Sequence, residues 1–296
     1  MKFAAIDIGS NAVRLLVSKV TELKREKYFQ KVSFTRVPIR LGEDVFEKGK
    51  ISDTKLKQLT RTMKAFWYLM DVQNVTDFRA CATSAMREAK NRDEILQKIK
   101  TSANVDIEII TGAEEANLIL GNFRHQKIDK KKSYLYIDVG GGSTELSIIS
   151  DGKREKAKSF KVGTVRALKG KVKSSVWDEI EEWMEKQCAH LGGSMAIGTG
   201  GNINRLFKLS SSKHMQPLSL SELKKLNASL SAMSVEDRIT EMRLKPDRAD
   251  VITHASDIYI RLMEVAKVKN MIVPRVGLSD GIIIDLYNKH LKSKKK

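Results

Sequence analysis

Two phrases far apart in the chain share one order of residue types. The first is Phe3-Ala-Ala-Ile-Asp7-Ile-Gly9-Ser10-Asn11, and the second is Tyr134-Leu-Tyr-Ile-Asp138-Val-Gly140-Gly141-Gly142-Ser143-Thr144-Glu145. Each has an apolar run, an acid, one apolar residue, then glycine and small polar side chains. Glycine lets main-chain N–H groups come close to an anion, and an aspartate at a strand end can hold a cation beside it. Asp7 and Asp138 are thus candidate ligands for a divalent ion. Magnesium suits such an oxygen-rich setting and keeps much of its water shell. Two such turns facing each other across a cleft would clamp a phosphate.

Three consecutive glycines between two strands weaken the sheet, so Gly140, Gly141 and Gly142 call for a geometric reason. One is a tight loop whose amides cradle a phosphate, with Ser143 and Thr144 adding hydroxyl donors. Gly9, Ser10 and Asn11 form the weaker counterpart. Arg87, in Ala82-Thr83-Ser84-Ala85-Met86-Arg87, is placed either to fork onto phosphate oxygens or to sit at the surface behind an ordinary cap. In Thr111-Gly112-Ala113-Glu114-Glu115, the acids either complement a helix dipole or send one carboxylate to orient water for attack on phosphorus. Gly198-Thr199-Gly200-Gly201-Asn202 is a third glycine junction, of a kind that approaches extended phosphates. His125, His190, His214, His254 and His290 share no metal-binding spacing.

These residues need strand ends and helix starts to position them. Apolar periodicity predicts a hairpin over 3–8 and 12–20, more strand over 28–40, and a helix over 53–70 on Leu56, Leu59, Met63, Phe66 and Met70. A strand (77–82), a helix (85–102), a strand (106–110) and a helix (112–124) follow. Strands restart at Tyr134 and run to 162. Helices are expected over 174–192, 201–209, 219–241, 248–267 and 278–290, with short strands at 194–197 and 270–273. The restart reads as an internal duplication. It places the domain boundary within 125–133, giving domains 1–126 and 127–296.

With 296 residues, 41% of them hydrophobic, the chain can bury substantial cores, in one large domain or two medium ones. The net charge of +18, from 54 Lys and Arg against 36 acids, fits either a polyanionic partner or a solvated basic surface. Basic clusters at 19–31, 127–132 and 153–173 add to a lysine tail expected to be disordered. Aromatic residues make only 6% of the chain and do not interleave with those clusters, so nucleic acid is not the expected partner. Cys81 and Cys188 offer neither a disulfide framework nor a metal knuckle. The absence of a long apolar run and of a secretory leader points to a cytoplasmic protein with no membrane partner.

The order of these motifs resembles the exopolyphosphatase/guanosine pentaphosphate phosphohydrolase family over nearly the whole chain. Arg248-Ala249-Asp250-Val251-Ile252 and Gly277-Leu278-Ser279-Asp280-Gly281 are similar to its late segments. The resemblance implies an α/β, actin-like (ribonuclease H-like) ATPase-type fold, two related domains around a cleft, with the helix near 278–290 returning to the first domain. It implies a magnesium-assisted hydrolase that removes terminal phosphate from polyphosphate, or the 5′ γ-phosphate from guanosine pentaphosphate. By motif position Glu115 matches the catalytic carboxylate and Glu145 a second acid associated with water and metal. Arg87, Asn11, Ser143, Thr144 and the loop glycines match phosphate contacts. The Gly198 loop departs from the family's usual threonine ending. Two other outcomes stay open on this fold, a kinase and a non-catalytic polyanion-binding regulator, and a homodimer is one open assembly.

Overall fold

The computed structural model describes residues 1–24, 26–122, 129, 131–188, 195–212 and 216–293. Residues 125–128 and 130 of the boundary segment 125–133, with Lys127 and Lys130 of its basic run, lie outside these residues. So do Ser194, the last three lysines, His125, His190 and His214. The chain divides into two compact units, Met1–Asn122 with Leu278–Lys296, and Phe123–Gly277.

The first unit opens with an antiparallel meander of β1 (Lys2–Ile8), β2 (Val13–Leu23) and β3 (Glu26–Val37). Then come α1 (Leu41–Lys48), α2 (Asp53–Val72), β4 (Asp77–Ala82), α3 (Ser84–Glu88), α4 (Arg92–Ala103), β5 (Ile107–Ile109) and α5 (Gly112–Gly121). The sheet order is β3-β2-β1-β4-β5, with β4 parallel to β1 and β5 parallel to β4. Both faces of β1 are buried, which is why it reads as a continuous apolar run rather than an alternating one. Ala4, Ile6 and Ile8 join a core with Leu59, Met63 and Phe66 of α2. Each such large side chain contributes about 1.5–3 kcal/mol by leaving water.

The predicted helix over 85–102 is two helices. Asn91 breaks it by exchanging hydrogen bonds with Ile51: its side chain accepts from the Ile51 N–H at 3.1 Å and donates to the Ile51 carbonyl at 2.9 Å. The strand predicted to run to 40 ends at Val37, and α1 follows Arg40, whose φ of 59° turns the chain.

The second unit repeats the plan with β6 (Tyr134–Val139), β7 (Thr144–Ser150) and β8 (Lys153–Phe160) as its meander. It continues through α6 (Thr164–Leu168), α7 (Ser174–Cys188), β9 (Met195–Thr199), α8 (Gly201–Leu209), β10 (Leu218–Ser219), α9 (Leu220–Ala232), α10 (Val235–Thr240), α11 (Pro246–Ala249), α12 (Ile252–Val265) and β11 (Asn270–Ile272). The sheet order is β10-β11-β9-β6-β7-β8, with β9 parallel to β6 and β11 parallel to β9. The single helix predicted over 219–241 is split where Ser234 and Asp237 form a capping box that starts α10 afresh. The short elements α6 and β10 carry too few residues to show a period in sequence.

The chain ends in α13 (Leu278–Ser293), which belongs to the first unit. It lies so close to α5 that a Cβ on Gly281 would fall 2.0 Å from the Leu118 carbonyl oxygen. Tyr287 sets its ring edge-on to Phe3 and Phe29 at 6.0 and 5.8 Å. A central first strand, a meander on one side and parallel crossover strands on the other, present twice, make this an actin-like, ribonuclease H-like α/β fold. Among the described residues no helix is long and apolar enough to cross a membrane.

Candidate functional site

The β6–β7 turn is built from beneath. The Gly140 N–H donates to the Ser143 carbonyl at 2.9 Å and closes the loop. Its carbonyls then face α6: Gly140 O accepts from Thr164 N at 3.0 Å, and Gly141 O from Val165 N at 2.8 Å and Arg166 N at 3.1 Å. Gly142 O accepts from Arg166 Nε at 2.8 Å. A trans peptide sets each N–H opposite the carbonyl before it. The carbonyls of Gly140, Gly141 and Gly142 are thus taken up by α6, and the amides of Gly141, Gly142 and Ser143 lie on the opposite side of their peptides. Gly163 lets α6 come this near, since a Cβ there would lie 2.5 Å from Gly142 N.

The hydroxyls beside the loop are otherwise engaged. Thr144 is fully buried and donates to the Val162 carbonyl at 2.7 Å. Ser143 Oγ donates to Glu145 at 2.7 Å, and Ser159 Oγ to the same carboxylate oxygen at 2.9 Å. The hydroxyl protons that the sequence offers to a phosphate at Ser143 and Thr144 are thus donated here to protein acceptors. Thr164 instead has a buried Oγ1 with no hydrogen-bond partner among the described residues.

Asp138 and Glu145 are partners in register on neighbouring strands, and their carboxylate oxygens lie within 4.8 Å of each other. Both are buried, Asp138 at 9% and Glu145 at 2% exposure. Two adjacent carboxylates screened from water favour a shared divalent cation, so the donor set fits a hard metal such as magnesium. The duplicated position in the first unit is different. There Asp7 is in register with Arg14, and Arg14 Nη1 lies 2.5 Å from its carboxylate. A guanidinium supplies at Asp7 the positive charge that a metal would bring.

Gly200, at the β9–α8 junction, has φ +112°, and a Cβ there would meet Asp138 Oδ1 at 3.0 Å. Its glycine serves close approach of this turn to the β6 end, and Gly201 then opens α8. Tyr259 ties the same two strand ends together. Its hydroxyl accepts from the Val139 N–H at 3.2 Å and donates to the Thr199 carbonyl. Tyr136 meets Thr199 Oγ1 at 2.5 Å. Burial, reinforced by the charge of Asp138, raises both phenols well above their ordinary range, so they stay protonated.

In the first unit, the Gly9 N–H closes its turn on the Ala12 carbonyl at 3.1 Å. The carbonyls of Ser10 and Asn11 accept from Gly42 N at 2.8 Å and Arg40 N at 3.0 Å. Ser10 Oγ is buried without a hydrogen-bond partner among the described residues. The two acids of α5 take different surroundings. Glu114 is 2.7 Å from Arg79, which also binds Glu108 at 2.7 Å and Asp285 at 3.3 Å. Glu115 is more buried, with Arg87 Nη1 at 3.8 Å; the same nitrogen donates to the Ile110 carbonyl at 2.6 Å. One carboxylate is a structural strut, and the other is held near an arginine in α3.

Arg166, Gly163, Thr164, Ser159 and Tyr259 escaped sequence reading. A Gly-Thr-Val-Arg run directly after a strand was the available signal for three of them. Tyr259 reads simply as part of an apolar helix face.

The profile described as the Ppx/GppA phosphatase family matches residues 16–290. Exopolyphosphatase 1 of Mycobacterium leprae (strain TN) is 23% identical, over 96% of this chain and 89% of its own length. A guanosine-5′-triphosphate,3′-diphosphate pyrophosphatase of Aeromonas salmonicida is 25% identical, over 96% of this chain and 59% of its own. Among solved structures, an exopolyphosphatase from Cytophaga hutchinsonii superposes with a TM-score of 0.84 at 21% identity, covering 98% of both chains. An Aquifex aeolicus family member does so at 0.76 and 24%, also covering 98% of both.

Proposed function

The chain belongs to the Ppx/GppA phosphatase family, and on that premise we propose that it is an exopolyphosphatase, releasing the terminal phosphate of linear polyphosphate by hydrolysis. The observation that carries this reading is the β6–β7 loop. Its three amides are turned to one side by α6, next to the paired Asp138 and Glu145. Main-chain amides placed in this way suit a terminal phosphoryl group, whose negative charge spreads over its free oxygens during transfer. A divalent cation between Asp138 and Glu145 would offset that charge and orient the phosphoryl oxygens.

The protein's own groups then divide the work. Gly141, Gly142 and Ser143 bind through main-chain N–H groups, and Ser143 and Ser159 fix the Glu145 carboxylate through hydroxyl hydrogen bonds. Glu115, by its place in the motif, orients the attacking water and takes its proton. Arg87 lies beside that carboxylate and contributes charge toward phosphate. Gly9, Ser10, Asn11, Gly140, Gly200 and Gly201 shape the turns, and Thr144 anchors β7. Asp138 and Glu145 are better metal ligands than Asp7, which keeps its Arg14 partner.

The charge of +18 favours a long polyanion over a single nucleotide. The test is phosphate release by the purified chain from polyphosphate, guanosine pentaphosphate and ATP, side by side, with and without magnesium. Faster magnesium-dependent release from polyphosphate is expected. Preference for guanosine pentaphosphate would move the substrate to the other branch of the family, and binding without release would make the chain a regulator.

A further inference from the structure

We infer that the groove between α2 and α4 is a second binding site for linked phosphates, distinct from the glycine turns. It encloses about 480 Å³, a size typical of small-ligand sites, and none of its lining residues belongs to the candidate site described above. Lys57, Arg61 and Lys64 line it from α2, and Lys98 from α4. The steps of four and three residues set the first three on one helix face, over roughly 10 Å of axis.

These cations are unaccounted for by the fold. Among the described residues none of the four side chains has an ion-pair or hydrogen-bond partner. Their neighbours do: Lys55 on α2 bonds Glu43 at 3.0 Å, and Lys100 on α4 bonds Asp106 at 3.0 Å. Like charges three and four residues apart also repel and disfavour the helix. Two acids share the groove, Asp53 and Glu94, but each sits in the first turn of its helix, where it complements the dipole. The cations lie inside the helices and gain nothing from the dipole. A flexible ligand with an oxygen on every side, able to meet four exposed cations at once, answers this pattern best. That is a chain of phosphates, either inorganic or the tail of a nucleotide.

Lysine acylation footprinting of the full chain, read by mass spectrometry with a chelator present to prevent turnover, tests the site directly. Tripolyphosphate should protect Lys57, Lys64 and Lys98. Arg61→Gln with Lys98→Gln should raise the concentration needed to protect Lys57 by about tenfold. Lys19→Gln with Lys153→Gln, the same charge change at exposed positions elsewhere, should leave that concentration unchanged. ATP run in parallel separates the sources. Equal protection by both ligands assigns an inorganic chain. Tighter protection by ATP that is weakened by Tyr68→Ala, next along the exposed face of α2, assigns a nucleotide. Lack of protection at the three lysines, or an equal effect of the control pair, overturns the site.

Discussion

Adjacent glutamates in α5 illustrate how much one position matters. Glu114 is bound to Arg79 and is 43% exposed, whereas Glu115 is 13% exposed and lies near Arg87. Glu115→Gln should lower turnover by about 100- to 10,000-fold with little change in KM, because it removes a proton acceptor and leaves the binding groups in place. Glu114→Gln should keep turnover within about twofold and cost under about 1 kcal/mol, since a half-exposed ion pair is screened by water. Steady-state kinetics on both variants decides; equal losses would cancel the distinction. Tyr259→Phe is the matching test in the second unit. It leaves the Thr199 carbonyl and the Val139 amide without their shared hydroxyl, at a cost of about 1–3 kcal/mol in urea unfolding. Motif position singles out Glu115 in sequence, but the surroundings that separate it from Glu114 are not legible there, because Arg79 and Arg87 reach the two acids only through the fold.

At the scale of elements, the glycine loop depends on a helix of five residues. α6 takes up the carbonyls of Gly140, Gly141 and Gly142, and that is what aims the amides. Gly163→Ala should push α6 off the loop, because its methyl would overlap the Gly142 backbone. The expected result is a loss of about 1–3 kcal/mol together with weaker phosphate binding. Calorimetric titration with phosphate alongside thermal unfolding would check it; unchanged phosphate affinity would show that the amides do not need α6. The strands and longer helices are legible in sequence because their periods are local. α6 is invisible for the opposite reason: it spans barely more than one turn, and its role lies in contacts with a loop some twenty residues earlier. In the same way the Thr144 hydroxyl donates to the carbonyl of Val162, in the segment after β8, a pairing that only the fold reveals.

Across the molecule, the two halves share the order of five strands, with β10 added in the second, and diverge in charge at one equivalent position. Asp7 faces Arg14 where Asp138 faces Glu145, so the second half alone pairs two acids there. The repeat itself was legible as two similar phrases; the divergence was not, because strand register decides which residue stands opposite. Each half also carries a buried thiol, and burial pushes Cys81 up to about 12 and Cys188 up to about 11. At pH 8 only about 1 in 10,000 and 1 in 1,000 of these groups are thiolates, against about a quarter for an exposed cysteine. Iodoacetamide labelling in rising urea should therefore modify each cysteine only as its own half opens, and rapid labelling of native protein would contradict the packing around them. The account as a whole stands on water being the phosphoryl acceptor. Polyphosphate turned over in ¹⁸O-enriched water, with mass analysis of the phosphate released, measures this most directly. One solvent oxygen in each released phosphate is the expected result; release without label, or transfer of the phosphoryl group to another acceptor, would contradict it.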